Sequence, residues 1–253
     1  VTARRRVSSG LNFIAAYTWS KTLSNTDSAL YTYSGYYFQD FYHQKGEKSV
    51  ATFDYPQNLK LTWIYDLPLG RGRKFLADGG KLDRLVGGWR VTAIQNYHSG
   101  DALQIIDSGL LSGVGNSNFV SGVRADVVPG VAPKVSFHGP VDSINGTQYL
   151  SPNAFAAPPS SPSGTYATRW GTAPRYLTSA RGPAWQSEDF AAMKDTRITE
   201  RFKLTFRADF FNLFNRTGMA DPVTDVSDMS SFGRIYDVAQ GPRNIMLSLR
   251  LEF

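Results

Sequence analysis

The stretch IMLSLRLEF (245–253) alternates without a break: Ile245, Leu247, Leu249, Leu251 and Phe253 fall on one side, Met246, Ser248, Arg250 and Glu252 on the other. Period-two alternation marks a β-strand lying between two unlike environments. Terminal residues more often fray into polar tails. The question is whether other segments share the design.

Four do. In SGLNFIAAYTWSK, Leu11, Phe13, Ala15, Tyr17 and Trp19 oppose Asn12, Ile14, Ala16, Thr18 and Ser20. In NLKLTWIYD, Leu59, Leu61, Trp63 and Tyr65 oppose Lys60, Thr62, Ile64 and Asp66. GWRVTAIQNYH sets Trp89, Val91, Ala93, Gln95 and Tyr97 against Arg90, Thr92, Ile94, Asn96 and His98. RFKLTFRADFF is the clearest, with Phe202, Leu204, Phe206, Ala208 and Phe210 against Lys203, Thr205, Arg207, Asp209 and Phe211. A fifth segment, EDFAAMK, alternates weakly through Phe190 and Ala192, and its limits are uncertain.

Leaving that weak segment aside, all eight charges lie on the polar faces. A β-sandwich with one wetted face gives the same alternation, so periodicity alone does not choose between sandwich and membrane. The joins between strands do. They run long, medium, very long, short and long, and such two-sided asymmetry is expected of outer-membrane barrels, with short periplasmic turns and long outer loops. Trp19 and Tyr97 then come at the upper strand ends, with Tyr65, Trp89, Phe202 and Phe253 at the lower ends. That is where amphipathic rings form girdles at a bilayer's two boundaries.

The predicted fold class is therefore all-β, an antiparallel transmembrane β-barrel of about six long strands with long extracellular loops. Lys60, Arg90, Lys203, Arg207, Asp209, Arg250 and Glu252 are expected to face the lumen. The charges of 203–209 should pair across the wall with Arg250 and Glu252. Turned outward, one Arg at mid-bilayer would cost about 2–4 kcal/mol.

Bulk composition agrees. Aromatics reach 13%, charged residues only 19%, and Gly plus Pro total 36 of 253 residues, which favours strands and turns over helix. No apolar run approaches the length of a transmembrane helix, whereas a barrel strand needs only about 9–11 residues. The absence of Cys excludes disulfides and thiolate metal sites. The net charge of +6 is thinly spread except at ARRR and GRGRK, and the aromatics lie opposite the charges, so nucleic-acid binding is not expected. The start at Val1 without a leader fits an excised or mature segment.

Residues 108–184 hold nine of the thirteen prolines and show poor apolar periodicity, so they are assigned to a long extracellular loop region. Residues 22–56, with YTYSGYYFQDFYHQ, form a second long loop. Its Tyr-rich surface either contacts a ligand or packs on neighbouring loops. Catalytic constellations are not found. His43, His98 and His138 are isolated, GRGRK lacks the helix of a phosphate cradle, GNSNF lacks a nucleophile elbow's second Gly, and the carboxylates of SED share no evident pocket. The expectation is no enzyme, no metal and no cofactor.

The segments YDLPLGRGRKFL, GGWRVTAI, YLSPNAFAAP, RGPAW, RITERFKLTFRADFFNLFN, FGRI and LSLRLEF resemble the C-terminal part of TonB-dependent outer-membrane receptors, most closely the Oar-like group with a carboxypeptidase-regulatory-like domain. The resemblance implies that Asn212, Leu213, Phe214 and Asn215 close the penultimate strand. It also implies that Leu247, Leu249, Leu251 and Phe253 are the signal read by the barrel-assembly machinery. The chain would then be the C-terminal barrel portion, without plug or N-terminal domains, of a receptor for a scarce ligand such as a siderophore, oligosaccharide or peptide. Outer-membrane lipid, the TonB complex and an unknown small ligand are the implied partners. DFAAMK and SGDAL depart from the family pattern. A small porin or adhesin-type barrel and a secreted β-sandwich binding module are the alternatives.

Overall fold

The computed structural model describes residues 1–6, 10–25, 39–40, 44–70, 72–75, 83–112, 123–137 and 140–253. Seven strands form one antiparallel meander: β1 (Thr2–Arg6), β2 (Leu11–Trp19), β3 (Gln57–Asp66), β4 (Trp89–His98), β5 (Trp185–Arg197), β6 (Lys203–Phe211) and β7 (Asn244–Glu252). Each pairs with its neighbour in sequence, leaving β1 and β7 at the two edges. Among the described residues no helix is long and apolar enough to cross a membrane, and the long elements are all strands.

Register decides which side chains share a face, because directly paired residues project to the same side. Phe13 pairs with Trp63, Trp63 with Ala93, Ala93 with Phe190, Phe190 with Phe210, and Phe210 with Ile245. The apolar sides inferred strand by strand therefore merge into one continuous face. Its aromatic rings meet across strands, with centroids 6.2 Å apart for both Trp63–Phe190 and Phe190–Phe210, and 6.4 Å for Trp89–Phe206. Edge-to-face and tilted contacts of this kind suit aromatic quadrupoles.

Among the described residues no second sheet covers this face. Leu247 is 69% exposed and Leu249 67%, and apart from the meander the described strands form only two-stranded ribbons. A sandwich would bury those leucines against a second sheet. Hydrocarbon is the solvent that makes their exposure favourable. The seven charges assigned to the lumen all fall on the opposite face by the same register.

The segment whose limits the sequence left open is the longest strand, β5. Ladders on both sides define it, to β4 and to β6, so pairing rather than apolar periodicity sets its ends. It also places two charges on the apolar face, Glu188 near the upper end and Lys194 near the lower. Each is compensated. Lys194 Nζ donates to the Gly87 carbonyl at 2.6 Å and sits 5.5 Å from the Trp89 ring centroid, a polar tip reaching the interface along an apolar stem.

All joins at one end are shorter than those at the other. The β5–β6 turn closes through Ile198 N–H to Phe202 O at 2.9 Å, with the Thr199 hydroxyl accepting from Phe202 N–H at 3.1 Å. At the opposite end the described residues of the three long joins, 20–25, 39–40, 44–56, 99–112, 123–137, 140–184 and 212–243, form a cap. The conventional core lies there: Phe232, Ile105, Leu150 and Ile235 are the largest fully buried apolar side chains, and Phe155 meets Phe232 edge-on at 5.6 Å. Gly233 shows how tightly it closes. With φ at +72°, its N–H donates to Val223 O at 2.8 Å, and a Cβ there would lie 2.6 Å from the Leu150 carbonyl oxygen.

Leu249 pairs with Phe206 midway along β6 and β7. Replacing Leu249 with Arg is expected to lower stability in bilayers by about 2–4 kcal/mol, whereas Arg at the adjacent Ser248 changes it by less than about 1 kcal/mol. Denaturant unfolding of both variants in lipid vesicles measures the difference.

Candidate functional site

The cap is held by buried charge. On the first long join, Glu47 is 1% exposed and is gripped by the Arg124 guanidinium, Nη1 to Oε2 at 2.8 Å and Nη2 to Oε1 at 3.2 Å. Gln39 completes the knot: its N–H donates to Glu47 Oε1 at 3.0 Å, its Nε2 to Gly171 O at 2.9 Å, and its Oε1 accepts from Arg124 N–H at 2.9 Å. Arg175 Nε donates to the Glu47 carbonyl at 3.0 Å. A second pair joins Asp54, fully buried, to Arg181, which also donates to the Asp54 carbonyl and to Gly100 O. Both pairs tie residues 39–54 to residues 100–181.

The third long join is stitched to the second by backbone. Ile106 N–H donates to Thr224 O at 3.1 Å, Val226 N–H to Ile106 O at 2.8 Å, and Tyr149 N–H to Gly233 O at 2.7 Å. Asp101 and Asp221 meet at this seam. Burial, then the neighbouring Asp101 carboxylate, pushes the Asp221 carboxyl up to about 6. Asp101 Oδ1 is buried without a partner, and the Tyr55 phenol beside the pair is raised by burial and by its hydrogen bond to Asp101.

Beneath the cap, the upper end of the lumen face carries an aromatic cluster that the sequence reading did not assemble. His98 and Trp185 are paired across β4 and β5, their rings nearly parallel at 6.3 Å, and Tyr55 lies 4.4 Å from the His98 ring centroid. His98 had looked isolated because its neighbours are distant in sequence. His43 and His138 lie outside the described residues, as do most of the Tyr-rich segment 31–44 and GNSNF. Among the described residues no group of three or more His, Asp or Glu is placed to hold a metal ion.

The lumen charges pair differently from the sequence expectation. Lys203 does reach Glu252 across the strands at 3.9 Å, and Asp195 at 3.3 Å. Arg207 instead binds Asp209 on its own strand at 2.7 Å, and Arg250 binds Glu252 at 3.4 Å. Register is the reason, since Ser248 and Met246 are what β7 presents to Arg207 and Asp209. Arg90 pairs with Asp66 at 2.5 Å, and among the described residues Lys60 has no ion pair.

Asn212 to Asn215 follow directly on β6 and reverse the chain. Asn212 (φ +54°) and Asn215 (φ +51°) both adopt the left-handed conformation that Asn tolerates best among non-glycine residues. Asn212 is buried, accepts from Arg216 N–H at 2.8 Å, and donates to Arg216 O and Gly241 O at 2.9 and 3.0 Å. The turn delivers Arg216 Nε to both oxygens of Glu188 at 2.9 Å, neutralising that buried acid on the apolar face. Phe214 stays exposed, and the Arg216 guanidinium lies 5.5 Å from its ring centroid. Leu213 N–H donates to Glu188 O at 2.8 Å.

Trp19, Tyr65, Trp89 and Tyr97 all project from the apolar face, the first and last at the cap end and the other two at the short-turn end. Leu247, Leu249 and Leu251 lie on that face, with Phe253 just beyond β7 at the short-turn end.

An apolar face left open by the described residues, charges that apart from Arg5, Glu188 and Lys194 lie on the other face of the meander, and joins sorted by length define a membrane-spanning barrel wall. The family model for an outer membrane beta barrel domain matches residues 1–246. The chain belongs to that family, and its place is the bacterial outer membrane. No curated protein and no solved structure matches it.

Removing one partner of a buried ion pair strands the other charge. Glu47→Ala is expected to destabilise the cap by about 3–5 kcal/mol, seen as loss of hydrogen-exchange protection at residues 39–54. Replacing Glu47 with Leu together with Arg124→Met restores most of it.

The raised Asp221 pKa fixes a pH direction. A carboxyl that binds its proton more tightly when folded contributes stability below its unfolded value of 3.8, and that contribution is lost as pH rises through about 6. Exchange protection at residues 219–226 should therefore fall between pH 4 and pH 7, and Asp221→Asn should abolish the decline.

Proposed function

We propose that the chain is the C-terminal barrel portion of a TonB-dependent outer-membrane receptor of the Oar-like group, which binds a scarce ligand at its outer loops and admits it past an N-terminal plug. The observation that carries this reading is the cap: the second and third long joins pack on a common core, and buried ion pairs lock the first join to the second. A diffusion pore gains nothing from an outer surface held rigid by buried charge. A receptor gains affinity, because its loops are ordered before the ligand arrives.

Two further features support it. The asparagine-bounded turn after β6 has the form that the family resemblance requires of a strand-closing motif. The open edges of β1 and β7 require continuation into more strands, because unpaired backbone in hydrocarbon costs several kcal/mol per group. In this reading the missing strands, the plug and the TonB-contacting segment belong to the same polypeptide. The barrel-assembly machinery engages β7, and the chain has no catalytic role. The ligand is a siderophore, oligosaccharide or peptide, met by the lumen-side cluster of Tyr55, His98 and Trp185 as it enters.

Energised transport separates this from a passive barrel. In cells making the whole protein, uptake of its ligand should fall to background when the proton-motive force is dissipated or the inner-membrane TonB complex is deleted. Uptake that continues at the same rate would identify a porin-type barrel instead.

A further inference from the structure

The outer rim of the sheet brings polar and apolar groups together beside Trp19, which projects from the lipid-facing side. β2 has nine residues. At ~3.4 Å per residue and a tilt near 40°, that length spans roughly 23 Å, about the height of the apolar band of an outer-membrane barrel. Trp19, its last residue, lies on the lipid-facing side and is 79% exposed. That position is the hydrocarbon boundary at the long-loop, extracellular end. Lys21 comes two residues further on, roughly 7 Å outward, where phosphate groups of the outer leaflet lie.

A cavity of about 450 Å³ opens there, lined by Trp19, Val50 and Pro56 on its apolar side and by Ser20, Lys21 and Thr178 among its polar groups. Asp54 and Arg181 also line it, but they neutralise one another. A second cavity of about 430 Å³ adjoins the same ribbon, in which Leu23 pairs with Val50, and it is lined by Lys45 and Lys48. The two acids of the ribbon are turned inward, Glu47 onto Arg124 and Asp54 onto Arg181. Three exposed ammonium groups are left without a carboxylate partner among the described residues. Lys21 follows the exposed Trp19 by two residues, and the Leu23–Val50 pairing brings the strand that Lys45 and Lys48 precede to the same ribbon, so the three gather at one rim whose charge is complementary to an anionic headgroup joined to acyl chains.

We propose that this rim binds the phosphorylated headgroup of an outer-leaflet lipid. Lys21, Lys45 and Lys48 hold the phosphate oxygens, the Ser20 and Thr178 hydroxyls contact the sugar or glycerol, and Trp19, Val50 and Pro56 seat the first acyl carbons. Because Glu47 and Asp54 lock this ribbon to residues 100–181, a bound lipid clamps the cap to the membrane.

The test uses the whole protein in phosphatidylcholine nanodiscs, with lipid A carrying two phosphates or the same lipid enzymatically dephosphorylated, and bound lipid counted by native mass spectrometry. The phosphorylated lipid should be retained and the dephosphorylated lipid lost. Lys21→Gln, Lys45→Gln and Lys48→Gln combined should weaken retention roughly a hundredfold, the effect of three lysines at an anionic lipid surface. Equal retention of the two lipids by the unaltered protein overturns the proposal and requires no variant. Displacement of the lipid by millimolar inorganic phosphate also overturns it, since the site would then recognise a free anion. Retention by a triple variant of unchanged β-sheet circular dichroism does the same.

Discussion

Backbone hydrogen bonding in hydrocarbon is the constraint on which this structure depends. No water is available there to receive an unpaired N–H or C=O, so a spanning strand must be laddered on both sides. A meander of sequential antiparallel neighbours meets that demand with short turns at one end. It also imposes a common parity on every strand. Because Phe13, Trp63, Phe190, Phe210 and Ile245 are linked by successive pairings, a one-residue slip anywhere would carry charges such as Arg207 or Arg250 into lipid.

The cap obeys different rules. It is surrounded by water, so it has the dry interior of an ordinary domain, built around Phe232, Ile105, Leu150 and Ile235. Irregular backbone dominates it, and its tertiary order comes from side chains that bind main-chain groups far away in sequence. Arg175, Arg181 and Gln39 each satisfy carbonyl oxygens that no ladder reaches. Buried ion pairs then fix the first join against the second, because any other arrangement leaves a charge uncompensated, while backbone hydrogen bonds hold the third. Where wall and cap meet, Glu188 shows the two regimes in contact: an acid on the lipid-facing side is tolerated because the turn after β6 brings Arg216 onto it.

The wall was legible in the sequence because a strand between lipid and water records its environment in every second residue. Trp19, Tyr65, Trp89 and Tyr97 fall on the face that their parity assigned them. β5 was obscured because Glu188 and Lys194 interrupt the pattern at its two ends, each rescued by a partner outside the strand. The ion pairs of the lumen were only partly legible. Which residue opposes Arg207 depends on the offset between β6 and β7, which alternation does not contain.

By itself the amino-acid sequence determined the class of element, the side each residue takes, and the membrane as solvent, because these follow from local periodicity and the cost of charge in hydrocarbon. Only the tertiary structure decided the register, the packed cap and the meeting of Tyr55, His98 and Trp185. The same holds for the inward turning of Glu47 and Asp54 that leaves three lysines uncompensated at the rim. These are contacts between residues tens of positions apart, and no local pattern encodes which of many distant partners a buried charge or ring will find.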